Sequence, residues 1–208
     1  MKSEIAVIGC GRIGSVHARA ITETLPMVDL VCADVEPNRA IDLANRVGAH
    51  AVDIADIWDL PSLRAVAICS STTTHVDYIC AAAEASVAVF CEKPVSLDLD
   101  EVDRAVRAVT DSDIPFMVGF HKRFDPTHQA TKQAVVDGRV GDVHLLRITT
   151  RDPQPPPLDY IAVSGGIFLD MTIHDFDMAR FLIDSPVQEI FARGAVLIDP
   201  QIEQAGDF

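Results

Sequence analysis

The sequence predicts an α/β protein with a doubly wound parallel sheet over residues 1–120, followed by a smaller α+β domain over residues 121–208. Short, fully apolar runs alternate with helical patterns through the first part of the chain. Such runs are typical of parallel strands covered on both faces. A glycine-rich turn follows the first run, and the alternation ends near residue 120.

The elements of the first domain follow in order from apolar periodicity and from residues that begin or end helices. Pro37 is suited to the first turn of a helix, and Gly48 to its end. Ser96 and Asp98 indicate another helix start. The pattern predicts strands at 5–8, 28–33, 51–52, 65–69, 88–91 and 115–120, and helices at 12–25, 37–47, 76–85 and 98–109, with 70–74 as a polar loop.

The turn after the first strand reads Gly9-Cys10-Gly11-Arg12-Ile13-Gly14. In a dinucleotide-binding fingerprint, the first glycine permits the turn, the second lets a pyrophosphate approach the backbone, and the third lets the helix pack on the sheet. The helix N-terminus offers free N–H groups to phosphates. Asp34, at the end of the second strand, is placed to accept ribose hydroxyls and would repel a 2′-phosphate. The pattern predicts NAD as cofactor, although Arg39 nearby would soften that preference.

Composition narrows the possible partners. A formal net charge of −14 argues against nucleic acid and anionic membrane surfaces, because both require a basic face. No apolar run approaches the ~20 residues of a membrane span. The five cysteines form no CxxC pair and are typical of small buried residues in a reducing compartment. With no signal peptide in the sequence, we expect a cytoplasmic protein.

Two groups carry candidate chemistry beyond the glycine turn. Lys93 follows the fifth strand, and ligands of open α/β sheets bind beyond the carboxyl ends of strands; a plain surface lysine is the alternative. Asp170 and His174 are four apart on a predicted helix over 167–183 and would share one face, as a proton acceptor and the carboxylate that orients it. A structural histidine is the alternative, as is a metal site that also includes Asp177, although we expect no metal.

The second domain is predicted to contain a helix at 126–136, a strand at 143–150, a proline-rich loop at 152–157 and a last strand at 189–196. Cations from 121–123 would lie near the mouth of the crevice. We expect Arg123 and Asp125 to form a structural pair, while the role of Lys122 stays open. No further layer follows the last strand in this chain, so the domain is expected to be incomplete, with an exposed edge there.

Several motifs together resemble one family. They are GCGRIG with Asp34, SSTTTH at 70–75, CEKP at 91–94, KRFDP at 122–126 and SGGIFLDMTIHDFDMARF at 164–181. The chain is identified by them as a member of the glucose-fructose oxidoreductase, inositol dehydrogenase and rhizopine catabolism family. Within it, the likeness is greatest to the inositol 2-dehydrogenases, and TRDPQPPP at 150–157 belongs to it. His121 departs from the Asn or Met more common in relatives, so the resemblance assigns no substrate contact to that position.

The resemblance implies oxidation of a ring hydroxyl of myo-inositol or an isomer to a keto-inositol, with hydride transfer to NAD. By resemblance, His174 takes the hydroxyl proton, Lys93 hydrogen-bonds the same oxygen, and Asp170 orients the pair. Lys93–Pro94 would be a candidate cis bond. The residues implied for cofactor binding are Gly9, Gly11, Arg12, Ile13, Gly14, Asp34, Ser70, Thr72, His75, Glu92 and Lys93.

The resemblance also bears on assembly and on competing functions. Relatives continue into a large, mostly antiparallel sheet that builds the oligomer interface, so a homo-oligomer is expected where the full substrate domain is present. A related sugar or sugar-acid dehydrogenase is one alternative function. A truncated, catalytically silent NAD-binding relative is the other.

Overall fold

The computed structural model describes residues 2–207, which form two compact units, one up to Gly119 and one from Phe120. Among the described residues, the first unit contains a six-stranded sheet in the order β3-β2-β1-β4-β5-β6, with every pair parallel. The strands are β1 (Ser3–Ile8), β2 (Val28–Ala33), β3 (His50–Ala51), β4 (Leu63–Ile68), β5 (Ala88–Cys91) and β6 (Phe116–Val118). This is the strand order of a Rossmann fold, which confirms the predicted fold class.

Helices cover both faces of this sheet. They are α1 (Arg12–Thr24), α2 (Pro37–Val47), α3 (Thr72–Glu84) and α4 (Leu99–Asp111), with a 3-10 helix at Ile54–Asp59. Alternate residues of β1 enter different cores, with Ala6 and Ile8 in one cluster and Val7 in the other. The apolar run in β1 is therefore explained as predicted, because helices cover both faces of this strand.

Helix α3 begins at Thr72, four residues before the predicted start, so the interpretation of 70–74 as a loop was wrong beyond Ser71. Threonine is a weak helix former because its hydroxyl competes for backbone partners. In α3, the hydroxyl of Thr74 finds hydrogen-bond partners within the first turn. Thr74 Oγ1 donates to the carbonyl of Ser71 at 2.8 Å and lies 2.7 Å from Ser70 Oγ.

The strand register brings the turns after four strands to one edge of the sheet. Ile8 of β1 is level with Ala33 of β2 and Ile68 of β4, and Ile68 is level with Cys91 of β5. The chain order also reverses about β1, which lies between β2 and β4. Open α/β sheets bind ligands at such a switch point.

The second unit is helical where it is regular. Its elements are a 3-10 helix (His121–Phe124), α5 (Pro126–Val136), α6 (Leu158–Ser164), α7 (Gly166–Asp170), α8 (Ile173–Ile183) and α9 (Gln201–Gln204). The prediction of a helix at 126–136 is confirmed. None of the helices within residues 2–207 combines the length and apolar character needed to cross a bilayer.

The strands predicted at 143–150 and 189–196 are not formed. A β-strand needs a partner for its backbone hydrogen bonds, and the part of this unit that the structure describes pairs neither segment. Their apolar side chains are exposed, by 86% at Leu145 and 89% at Phe191. The alternating pattern identified residues suited to a sheet, but it contains no information about whether a partner strand is available.

The single helix predicted over 167–183 was also wrong, because it is interrupted at Met171 and Thr172. The amide of Thr172 donates to the carbonyl of Ile167 at 2.8 Å, five residues back, and its hydroxyl donates to Phe168. These bonds close the end of α7 before α8 begins. The apolar pattern is continuous through the break, so the periodicity does not reveal it.

Candidate active site

The glycine turn of the first unit depends on two close backbone approaches. Gly9 has a φ of +95°, and a Cβ there would lie 2.5 Å from the backbone nitrogen of Ser70. A Cβ on Gly14 would lie 1.9 Å from the carbonyl oxygen of Gly9. Gly11 differs, because a Cβ there would meet no atom within 4 Å. Two glycines are therefore required for packing, while the third borders open space at the N-terminus of α1.

A cavity of about 250 Å³ adjoins this turn at the switch point. It is lined by Gly9, Gly11, Asp34, Val35, Arg39, Ile54, Cys69, Ser70, Ser71, Thr74 and Tyr78. The open side of Gly11 and the adjacent helix N-terminus suit an anionic diphosphate, and Asp34 suits a diol. The chemistry of these groups fits the dinucleotide that the sequence predicts.

Asp34 is only 7% exposed, and two backbone amides orient its carboxylate. Cys10 N–H donates to Oδ2 at 2.6 Å, and Glu36 N–H donates to Oδ1 at 2.9 Å. Each carboxylate oxygen can accept a further hydrogen bond. The glycine turn and the ribose-type acid are thus coupled directly, through the amide of the residue between Gly9 and Gly11.

Of the residues that follow β4, some line the cavity and one is buried in the protein interior. Ser70, Ser71 and Thr74 line the cavity, and the predicted Thr72 is the first residue of α3. His75 is 1% exposed, with Nδ1 2.9 Å from the Pro94 carbonyl oxygen and Nε2 3.1 Å from that of Ser70. Burial lowers the pKa of His75, although both carbonyls oppose this effect. The buried ring faces protein carbonyls, so direct contact between this side chain and a cofactor is not supported.

The turn after β5 contains Glu92, Lys93 and a cis Lys93–Pro94 bond. Glu92 Oε1 lies 2.6 Å from Nε2 of His17 on α1, and Glu92 Oε2 accepts from the Lys93 amide at 3.3 Å. Burial alone would raise the pKa of Glu92, but the His17 hydrogen bond lowers it overall. Sequence reasoning missed His17. The signal was its position three residues after Gly14, on the helix face that packs on the sheet.

In the second unit, Asp170 and His174 lie on either side of the break between α7 and α8. The prediction that both lie on one continuous helix was therefore wrong. Asp170 Oδ1 accepts from the Tyr160 hydroxyl at 2.8 Å. His174 is 8% exposed, and its ring centroid lies 4.7 Å from that of His121 and 6.3 Å from that of Phe120. Tyr160 is a further residue that sequence reasoning missed.

The cations of the 3-10 helix pair with α8. Arg123 Nε donates to Asp177 Oδ2 at 2.8 Å and its NH2 group donates to Oδ1 at 2.6 Å, and Asp177 raises the pKa of Arg123. The predicted Arg123–Asp125 pair is therefore wrong, because Asp125 instead caps α5 through the amides of Thr127 and His128. Lys122 Nζ donates to Asp175 at 3.0 Å.

These pairs bear on the metal alternative. The Asp177 carboxylate accepts both arms of the Arg123 guanidinium, so its oxygens are engaged by a cation of the protein itself. Among residues 2–207, no group of three His, Cys, Asp or Glu side chains is arranged to hold a metal ion.

Two family models match the chain. The GFO/IDH/MocA oxidoreductase family, described as an NAD-binding Rossmann fold, matches residues 3–120. The GFO/IDH/MocA C-terminal domain matches residues 128–207.

Similar curated proteins include inositol dehydrogenases. The chain is 47% identical to myo-inositol 2-dehydrogenase of Thermotoga maritima, over 98% of this chain and 61% of that protein. It is 45% identical to inositol 2-dehydrogenase of Rhizobium meliloti, over 100% of this chain and 63% of that protein. The chain thus spans less than two thirds of the length of these relatives.

Solved structures give the same likeness. A putative myo-inositol dehydrogenase from Sinorhizobium meliloti matches with a TM-score of 0.94 and 45% identity, over 99% of this chain and 62% of that one. Scyllo-inositol dehydrogenase from Lactobacillus casei, solved with NAD(H) and scyllo-inositol, matches with a TM-score of 0.87 and 29% identity, over 100% and 64%. The sheet order, the glycine turn and these matches together show that the chain belongs to the GFO/IDH/MocA oxidoreductase family, which has an NAD-binding Rossmann fold.

Proposed function

We propose that this protein is an NAD-dependent dehydrogenase that oxidises a ring hydroxyl of a cyclic polyol, myo-inositol or an isomer, to the ketone. The observation that carries the proposal is identity of 45–47% to inositol 2-dehydrogenases over at least 98% of this chain. The residues proposed for catalysis lie within that matched length. The first unit would hold the cofactor, and residues 121–208 would contribute to substrate binding.

NAD, when bound, supplies the acceptor for the hydride. Backbone groups of Gly9, Gly11, Arg12, Ile13 and Gly14 would hold its pyrophosphate at the start of α1. The Asp34 carboxylate, which two backbone amides orient, would accept hydrogen bonds from the ribose hydroxyls. The remaining proposed contacts come from the turns after β4 and β5, at Ser70, Thr72, Glu92 and Lys93.

Oxidation of an alcohol requires that its proton leaves as the hydride departs, and this need assigns the other roles. His174 would accept the hydroxyl proton, since imidazole is the side chain best matched to proton transfer near neutral pH. Lys93 would donate a hydrogen bond to the same oxygen. Asp170 would stabilise the charge that develops on the histidine, and the Tyr160 hydroxyl orients its carboxylate.

We further propose that the protein is cytoplasmic and that it forms a homo-oligomer where the full substrate domain is present. All five cysteines are free thiols, and four of them are buried. Burial raises the pKa of Cys69 to about 12, which suppresses its thiolate and hence its reactivity. Thiols of this kind suit a reducing compartment.

The direct test of the proposed function is an assay of NAD reduction by the purified chain with myo-inositol, in which the absorbance of the reduced nicotinamide is monitored. A titration in the same buffer measures NAD binding. We expect both turnover and binding. Scyllo-inositol and glucose are the comparison substrates. Binding of NAD without turnover of any of the three would contradict the proposed activity and leave a nucleotide-binding protein.

Asp34→Ala is expected to weaken NAD binding by about ten- to hundredfold, because a hydrogen bond to a charged group contributes roughly 1.5–3 kcal/mol. The same change should reduce discrimination against NADP, since the repelling carboxylate is gone. Titration with both cofactors measures the ratio. Asp29→Ala is the matched control, because Asp29 is a partly exposed acid on β2, the strand that leads to Asp34, and it pairs with Lys2. An unchanged NAD to NADP ratio in Asp34→Ala would contradict the ribose role.

A further inference from the structure

The turn that carries Lys93 is held from two directions by histidines on different helices. His17 comes from α1 and reaches the side chain of Glu92, the residue before Lys93. His75 comes from α3 and reaches the carbonyl of Pro94, the residue after it. The lysine therefore lies between two residues that are each fixed by an imidazole.

The His17 contact has a defined polarity. A carboxylate only accepts hydrogen bonds, so Nε2 of His17 carries the proton and donates to Glu92 Oε1 at 2.6 Å. Both side chains are largely shielded, with 25% and 15% exposure, and the His17 ring also packs 4.8 Å from Phe90. The second oxygen of Glu92 accepts from the Lys93 amide. The chain of contacts runs from α1 through one carboxylate to the lysine backbone.

The His75 contact is more deeply buried and links two turns. Both ring nitrogens face carbonyl oxygens, those of Pro94 and Ser70. A neutral imidazole has only one N–H to donate, and the shorter distance, 2.9 Å against 3.1 Å, is from Nδ1 to Pro94. Nδ1 is thus the ring nitrogen that faces the residue after Lys93.

We propose that His17 and His75 are positioning residues for Lys93, which together fix the turn from Glu92 to Pro94. Neither touches the reacting atoms. The catalytic consequence rests on the proposed function, which gives Lys93 its role, whereas the restraint on the turn does not. A displacement of about 1 Å in a catalytic group can cost on the order of a hundredfold in rate, so such a restraint matters for turnover.

Asparagine and glutamine variants at both positions test this in a crossed design. The amide of glutamine reaches about as far as Nε2 of histidine, and that of asparagine about as far as Nδ1. At position 17 the important bond uses Nε2, so His17→Gln keeps it and His17→Asn loses it. At position 75 the bond to Pro94 uses Nδ1, so His75→Asn keeps it and His75→Gln loses it. Glutamine is therefore expected to be the milder substitution at position 17, and asparagine the milder one at position 75.

Two readouts are measured on the four variants and the parent chain. One is hydrogen exchange of the Lys93 amide by NMR, which requires no turnover. We expect exchange about tenfold faster in His17→Asn and His75→Gln than in their partners. The other is steady-state kinetics with NAD and myo-inositol. We expect kcat to be about ten- to hundredfold lower in the two variants that lose the bond. His50→Asn and His50→Gln, on the exposed strand β3, are the controls. These two variants should not differ from each other in Lys93 exchange or in kcat.

The outcomes separate this inference from the proposed function. A crossed order in exchange and in kcat supports both. A crossed order in exchange with a parent chain that shows no turnover supports the restraint and overturns the proposed activity. Two results would overturn the proposed restraint: asparagine and glutamine rank in the same order at both positions, or the Lys93 amide exchanges equally fast in all four variants. A general packing defect would produce such results, because it does not depend on which ring nitrogen is replaced.

Discussion

Replacing His174 by alanine is expected to lower kcat by at least about a hundredfold, since general-base catalysis contributes roughly 10²- to 10⁴-fold. NAD affinity should stay within about twofold, because the residues proposed to hold the cofactor belong to the first unit and His174 belongs to α8 of the second. Steady-state kinetics with myo-inositol and an NAD titration measure the two quantities on one preparation.

The control for this prediction is His128→Ala, a partly exposed histidine on α5 whose Nδ1 lies 3.1 Å from Asp125 Oδ1 at the start of that helix. It should leave kcat unchanged. Because His174 is buried, thermal unfolding of the alanine variant is measured alongside. A parallel fall in kcat, NAD affinity and unfolding temperature would assign His174 a structural role and remove it from the proposed mechanism.

The first unit was predictable because its signals are local. Strands β1, β2 and β4 place buried side chains in both core clusters, so apolar runs mark them. The glycine turn and Asp34 belong to a spacing that the sheet itself imposes. The register that aligns Ile8 with Ala33 and Ile68 brings the predicted turns to one edge without any further information. The sequence thus contains the position of the candidate cofactor site.

The contacts that complete the site were not predictable in the same way, because they join residues far apart in sequence. His17 and Glu92 are 75 residues apart, and Arg123 and Asp177 are 54 apart. A histidine on a helix pattern does not indicate which carbonyl or carboxylate it will meet. The same limit applies to segments 143–150 and 189–196, since pairing of a strand depends on a partner and not on its own alternation.

Alanine at Gly14 and alanine at Gly11 are expected to fail in different ways, although both alter the same turn. A methyl group on Gly14 would lie 1.9 Å from the Gly9 carbonyl oxygen and 3.4 Å from Val7 Cγ1. The first of these neighbours is backbone, so relief requires α1 to move away from β1. We expect a loss of about 3 kcal/mol or more in the free energy of unfolding, together with loss of NAD binding.

Gly11→Ala should leave folding intact, because its Cβ would meet no protein atom and the φ of −72° suits any residue. We expect a change within about 0.5 kcal/mol in the free energy of unfolding. The methyl group would nevertheless stand where the pyrophosphate is expected to approach the backbone, so NAD affinity should fall at least about tenfold. Denaturant unfolding and NAD titration of both variants measure the difference. Undiminished NAD affinity in Gly11→Ala would contradict the close approach of the cofactor to this turn, while the packing argument at Gly14 would still stand on its own measurement.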